Sequence, residues 1–399
     1  MNKPHSDGTT LATAVVRSAT ATASQSAAVI VAAVLGEYSL LIMPFIVTAM
    51  MQSYGLNELR AGNLVSVQLV IMGVAGIMVS YLLCRVPARR IVVGAAVLIA
   101  GANVLCAVGT DPQILLAGRC LTGLGEGSMM AAAGAIAAGV PNAHRLFSLL
   151  GLAIAGIAAV ALTLTPFLFA ILGPRGVFWL LACSPLAALV MVRWLPDITE
   201  AVEDAPKLVA LKIRGATPVL ASFGLLWIGA SALWVFAELI GTAHGLSLGQ
   251  VGTYLAIAQV AGIVGPIAAA RFGEQLGLRA SIVGGSAVMA GAGLVMVYGA
   301  GAVGFASGAA FLSIAVMFLT PCFRSLMARL DATGSVVAMS VAFYTFGFGL
   351  APALVMVVHP AGSGYGGVAI LATAAFVASG LLVIFIRRVP IAGSCRFAP

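Results

Sequence analysis

The sequence predicts an all-α membrane protein of twelve transmembrane helices in two pseudo-symmetric six-helix bundles. Three observations carry this expectation: composition, an internal duplication and a one-sided distribution of positive charge. Hydrophobic residues make up 61% of the chain and charged residues 8%, where ordinary soluble domains carry about a quarter charged. Mean hydropathy is +1.12. The apolar segments reach about 20 residues or more, enough to cross a ~30 Å hydrocarbon layer as helix, and none alternates as barrel strands do.

The duplication runs without a gap. Residues 55–109 recur 190 positions later as 245–299, with 13 of 55 aligned positions identical. Gly55, Gly62, Gly94, Gly101 and Gly109 fall onto Gly245, Gly252, Gly284, Gly291 and Gly299, and Leu56 and Arg89 onto Leu246 and Arg279. The chain therefore reads as two copies of one membrane half, a plan used by secondary transporters that hold their substrate between the copies near the bilayer midplane.

Taken in order, residues 1–26 form a Ser/Thr/Ala-rich tail without the continuous apolar run of a signal peptide. Spans follow at 27–50, 62–83, 90–109, 113–138, 146–171 and 176–195, the N-terminal bundle of residues 27–195. A charged linker, residues 196–216, holds Asp197, Glu200, Glu203 and Asp204 and then Lys207, Lys212 and Arg214. Spans at 217–240, 249–271, 281–299, 303–326, 335–358 and 367–387 form the C-terminal bundle of residues 217–387, and residues 388–399 a second tail. Pro44, Pro166, Gly265-Pro266 and Pro352 mark candidate kinks, because proline removes a helical hydrogen bond.

With both termini cytoplasmic, 17 of the 20 Lys and Arg residues fall inside, only Arg60 and Arg175 fall outside, and Arg119 lies within a span. Positive charge in short loops sets orientation, so both termini are expected in the cytoplasm. The net charge of +8 then answers to anionic membrane lipid and calls for no nucleic-acid partner. The six cysteines form no CxxC pair and the four histidines are scattered, so neither a disulfide nor a metal is expected. No cofactor is expected either. The stretch Gly123-x-Gly125-x-Gly127 follows no strand and carries no phosphate-binding lysine, and reads as helix packing. No Ser/His/Asp, metal or phosphate constellation points to an enzyme, and no Walker motif supplies ATP-driven transport.

Two motifs carry a resemblance. The loop Ala270-Arg271-Phe272-Gly273-Glu274-Gln275-Leu276-Gly277-Leu278-Arg279 resembles the signature loop of the major facilitator superfamily, with Glu274 at the acidic position, Gly277 at the turn and Arg279 at the basic end. Its duplicate places Cys84 where the acid belongs and Pro87 where the glycine belongs, with Arg85 and Arg89 beside them. The fourth span, with Arg119, Gly123 and Gly125, is similar to the superfamily's Arg-x-x-x-Gly-x-Gly motif. The antiporter glycine-proline motif of the fifth span is degenerate: Gly151 and Gly156 are present without an adjacent proline. The resemblance implies a proton-coupled secondary transporter of a small organic solute, acting as a monomer in the inner membrane of a bacterium. It also assigns Arg85, Arg89, Glu274, Gly277 and Arg279 to gating.

Ionisable residues within spans cost at least about 2.5–3.5 kcal/mol each on insertion scales and are functional candidates by default. Glu37, near mid-span, is the first choice for proton carrier. Arg119 and Glu126 share a helix face about 10.5 Å apart, too far to bond directly, and are expected to serve coupling or substrate contact. Glu238, placed near the outer end of span seven, reads as reaching headgroup water or the substrate, and Arg324 as snorkelling at a helix end. Aromatic residues Trp227, Trp234 and Tyr344 and amides Asn63, Gln68 and Gln259 complete the candidate cavity. Few charges and many aromatics favour efflux of an amphipathic compound. The alternatives are a proton symporter importing an organic anion, or a membrane protein that kept the fold without transporting.

The orientation is testable with reporter fusions. A phosphatase that works only outside the cytoplasm is expected to be active when inserted at Gly362, between spans eleven and twelve, and inactive when fused after Pro399. The reverse pattern would overturn the assignment.

Overall fold

The computed structural model describes residues 22–83, 85–139, 143–195, 211, 213, 215–273, 275–331, 335–358 and 364–384. The first span is broken into three helices, α1 (Ala23–Gly36), α2 (Tyr38–Leu41) and α3 (Met43–Tyr54). Next come α4 (Glu58–Leu82), α5 (Ala88–Val108), α6 (Pro112–Gly139) and α7 (Ala143–Leu172), then α8 (Gly176–Cys183) and α9 (Leu186–Met191), which flank Pro185 in the sixth span. The second half holds α10 (Ala216–Val235) and α11 (Ala237–Ala243), α12 (Leu248–Ala261) and α13 (Val264–Phe272), α14 (Leu278–Tyr298), α15 (Gly301–Leu330), α16 (Ser335–Val358) and α17 (Gly366–Ile384). Ten spans among the described residues are long and apolar enough to cross a membrane. The broken first span and the 28-residue α6, which carries Arg119 and Glu126, bring the number to twelve.

The duplication is visible in the backbone. Helices α5 and α14 are both 21 residues long, and both end on a glycine in extended conformation, Gly109 (φ −63°, ψ 152°) and Gly299 (φ −67°, ψ 153°). The turns that follow α3 and α11 are made by Gly55 (φ +62°) and Gly245 (φ +80°), a left-handed conformation that disfavours other residues.

Within the N-terminal half, α6 lies against both α4 and α5. Its Gly123 and Gly127, one turn apart, face the backbone of α4. A Cβ at Gly123 would run into the Gln68 carbonyl, and one at Gly127 into the Met72 carbonyl. Small residues here let the two helices touch main chain to main chain, the usual route to tight packing where lipid removes the hydrophobic driving force.

The halves meet through α4 against α16 and α7 against α12. We call the side of the molecule near Leu195 and Gly215 the linker face and the opposite side the far face. Helix α7 packs on α12, the far-face piece of the eighth span, and makes no comparable contact with α13, its linker-face piece. The hydrogen bonds between halves among the described residues also sit from the middle of the spans toward the far face. Tyr365 Oη donates to Glu58 Oε1 at 3.0 Å, Ala353 N to Ser66 Oγ at 2.9 Å and Trp234 Nε1 to the Leu40 carbonyl at 2.8 Å. The bundles are joined toward the far face and part toward the linker face.

One of these contacts, and one bond within the C-terminal half, follow from proline. Pro44 has no N–H, so the Leu40 carbonyl four residues earlier lacks a helical partner, and the Trp234 indole of the other half occupies it. Pro352 likewise orphans the Phe348 carbonyl, which accepts from Ser231 Oγ at 2.7 Å. Helix α16 passes through Pro352 unbroken, as α7 passes through Pro166.

Gly127→Val is expected to force α4 and α6 apart at an overpacking cost of about 1–3 kcal/mol, read as a lower melting temperature in detergent. Gly134→Ala, where an added Cβ meets nothing within 4 Å, is expected to leave it unchanged. Equal melting temperatures for the two variants would refute the close approach.

Candidate functional site

The ionisable residues Glu37, Arg119, Glu126, Glu238 and Arg324 within the spans fall into three groups. The first lies inside the N-terminal bundle. Arg119, fully buried, donates through Nε to Gln68 Oε1 at 2.9 Å, again through Nη2 to the same oxygen, and through Nη1 to Asn103 Oδ1 at 3.2 Å. The other end of the Gln68 amide donates to Glu126 Oε2 at 3.0 Å and Ser39 Oγ at 2.9 Å. Ser39 Oγ donates to Glu126 Oε2 at 2.6 Å and the Ser39 N–H to Glu126 Oε1 at 3.3 Å. One glutamine therefore joins a buried cation to a buried carboxylate that do not touch. Partnering of this kind is what makes a charge tolerable at such depth.

Glu126 also repairs a backbone. The break at Glu37 (φ −115°, ψ 4°) ends α1 and starts α2, and a new helix leaves its first N–H groups without partners. The Ser39 N–H is one of them, and Glu126 takes it.

The second group faces the gap between the bundles. Glu37 is half-buried, and its carboxylate has no hydrogen-bond partner among the described residues. The charge of Arg324 on α15 reaches it, and both interact electrostatically with Tyr344 on α16. Tyr344 packs edge-on against Trp227 with ring centroids 4.5 Å apart, and Trp227 against Phe223 at 6.2 Å and Phe348 at 6.1 Å. The Trp227 Nε1 is buried, with no acceptor among the described residues. This chamber has a hydrophobic wall and four polar groups not engaged with one another by hydrogen bonds.

The third group closes the far face. Glu238, 2% exposed, accepts from Thr48 Oγ1 across the two halves. The two residues are 190 positions apart, the offset of the duplication, so they occupy the same place in the two copies.

These positions correct several expectations. Glu238 does not reach headgroup water: a helix break at Phe236 starts α11 anew and directs the carboxylate to Thr48. Arg119 faces Gln68, Asn103 and Glu126 rather than Glu37 or the gap. Gln68 is fully engaged in the buried network and Trp234 in its bond to Leu40. Asn63 is exposed in the far-face third of α4, away from the chamber, and Gln259 is half-buried on α12. Of the gating candidates, Gly277 adopts φ +82° where its duplicate Pro87 has φ −55°. Arg85 is exposed, Arg89 and Arg279 are half-buried, and Glu274, like Cys84, lies outside the described residues.

A family model described as Major Facilitator Superfamily matches residues 26–352. The chain belongs to the Major Facilitator Superfamily. Solved structures with this superfamily fold include a D-xylose-proton symporter, at 16% identity and TM-score 0.75 over 92% of this chain and 98% of that one. The inward open conformation of the xylose transporter XylE from E. coli matches at 14% identity and TM-score 0.72, over 90% and 95%. A bacterial homologue of the human drug peptide transporters PepT1 and PepT2 matches at 13% identity and TM-score 0.69, over 90% and 96%. No curated protein matches in sequence. At these identities the likeness is one of fold, while the family match and the apolar helices make the chain a multi-pass membrane protein.

Within the superfamily fold, the residues that the sequence reading missed are Ser39, Thr48 and Asn103, and Arg324 was placed too near a helix end. Span ten was expected to end at residue 326, whereas α15 continues to Leu330. Arg324 is therefore six residues from the helix end, roughly 9 Å deep at 1.5 Å per residue.

Gln68→Leu is expected to strand Arg119 and Glu126 together, at about 3–5 kcal/mol for a broken buried charge network. The melting temperature in detergent should fall well below that of Ser307→Ala, whose hydroxyl bonds only carbonyls of its own helix. Matching values would mean that the network contributes nothing.

Proposed function

We propose that this superfamily member is a proton-coupled carrier of a small amphipathic organic solute, working by alternating access with Glu37 as the proton site. The single observation that supports this most is Glu37 itself. It is a half-buried acid at a helix break, within the field of Arg324 and without a hydrogen-bond partner among the described residues. Such an acid can be protonated from the gap in one state and ionised against a cation in another, which is what proton carriage requires. Discontinuous helices at the middle of the membrane are the recurrent setting of coupled-ion sites.

Glu126 is the second candidate, but its carboxylate is closed in by Ser39 and Gln68. We assign the Arg119–Gln68–Glu126 network to holding the broken first span in place. Trp227 and Tyr344 form the solute wall, where flat rings suit an apolar body. In this reading the monomer lies in the inner membrane of a bacterium with the linker face and both termini in the cytoplasm. The bundles of residues 27–195 and 217–387 rock about their far-face contact, tethered by residues 196–216, while Arg85, Arg89, Glu274, Gly277 and Arg279 guard the linker face.

The sign of the solute's charge decides the direction. A cation would compete with the proton for Glu37, giving exchange and export. An anion would compete with the Glu37 carboxylate for Arg324, giving joint movement and import.

Glu37→Gln is expected to abolish pH-gradient-driven flux in proteoliposomes and to leave solute binding and equilibrium exchange largely intact. Glutamine keeps the shape of the protonated acid but cannot release a proton. Normal gradient-driven flux in this variant would move the proton site elsewhere, with Glu126 next to be tested by the same substitution.

A further inference from the structure

The chamber at the second group is short of partners in a specific way. Arg324 is exposed toward the gap, and among the described residues no carboxylate is bonded to it. Trp227 Nε1 is a buried donor with no acceptor, in a medium where an unmade hydrogen bond is costly. Tyr344, the ring stacked edge-on against Trp227, lies within the field of both Arg324 and Glu37. Arg324 and the Trp227 indole offer only donors, and the Tyr344 hydroxyl offers one more. Glu37 is the one carboxylate among these four groups, and it lies within electrostatic reach of Arg324 without bonding to it. Phe223 and Phe348 close the apolar side. The contrast with the Arg119 site is direct: there all three guanidinium nitrogens donate to side-chain oxygens, and here, among the described residues, no acceptor is bonded to Arg324 or to Trp227 Nε1.

Resting on the carrier reading above, we infer that the solute is an organic monoanion with a flat apolar body, its carboxylate received by Arg324 and Trp227 and its body by the aromatic wall. Guanidinium is suited to a carboxylate through paired N–H donors, and the rings suit a planar hydrocarbon. The groups that bear on Glu37 are Arg324 from α15 and Tyr344 from α16; Glu126 and Arg119 are held apart from it in their own network behind Ser39. The ionised Glu37 and the incoming carboxylate therefore compete for one cation. Protonating Glu37 releases Arg324 to the anion, and binding the anion favours the protonated acid. By linkage the two effects are equal. Proton and anion load together, which makes the carrier a symporter.

Calorimetric titration of the purified full-length chain in detergent tests this with benzoate and 2-naphthoate, their neutral amides, and benzylammonium as the cation. At least one carboxylate is expected to bind about tenfold or more tighter than its amide, the effect of hydrogen bonds to a charged partner. Repeating the titration in mildly alkaline buffers of different ionisation heat should show a proton taken up with the carboxylate. Glu37→Gln should keep the binding and lose the uptake, and Arg324→Gln should lose the preference for carboxylate over amide. If Arg324→Gln does not fold, the proton count in Glu37→Gln carries the test. Amides that bind as well as every carboxylate, a preference for benzylammonium, or undiminished proton uptake in Glu37→Gln would each overturn the inference. Gradient-driven flux of a neutral or cationic solute would overturn the anion and leave the carrier standing. Tight carboxylate binding without coupled flux in proteoliposomes would overturn the carrier and leave the anion site.

Discussion

Inside a bilayer a backbone group that loses its helical partner has no water to turn to, and the packing of this chain meets that constraint both within the bundles and between them. Pro44 frees the Leu40 carbonyl and a tryptophan of the opposite half takes it; Pro352 frees the Phe348 carbonyl and Ser231 takes it. The break at Glu37 frees the Ser39 N–H and a carboxylate from α6 takes it. Each of these three freed groups is answered by a side chain from another element. Tertiary contacts are thereby fixed by main-chain need, and the breaks stay where they are because their replacements are in place.

The same constraint separates the two charge sites. Arg119 and Glu126 sit where α4 and α6 touch main chain to main chain, and Gln68 lies between them with both ends of its amide used. Water has no place there. Glu37 and Arg324 belong to different halves and face the gap that widens toward the linker face, and among the described residues none bridges them by hydrogen bonds. A charge with every bond made is part of the frame. A charge with bonds to spare belongs to whatever enters the gap.

Much of the fold was legible because its signals are periodic or repeated. Twelve apolar stretches and a gap-free repeat need no long-range information, and the Gly123 to Gly127 spacing announced close packing of α6. The site was less legible. The seven-residue separation of Arg119 and Glu126 said that each needed a partner, but Gln68 read as a cavity amide because nothing local shows which face of α4 turns toward α6. Glu238 was misplaced because the break at Phe236 carries neither proline nor glycine at the break itself, so the span read as straight. Arg324 was undervalued because α15 extends a turn past the expected membrane edge. Burial depth is a property of the assembled bundle and is weakly written in any one helix.

Thr48 and Glu238 carry a further consequence. In an assembly of two identical chains, a residue at this place next to the symmetry axis would face its own replica: two carboxylates would repel, and two threonine hydroxyls would give a weak, ambiguous bond. Joining the copies in one polypeptide lifts that identity requirement, and here one copy presents a donor and the other an acceptor. The offset of 190 residues also places Trp227 at the counterpart of Glu37. Fusion of the halves thus allowed an axis that is lined alike in shape to become unlike in chemistry, with acid on one side and indole on the other.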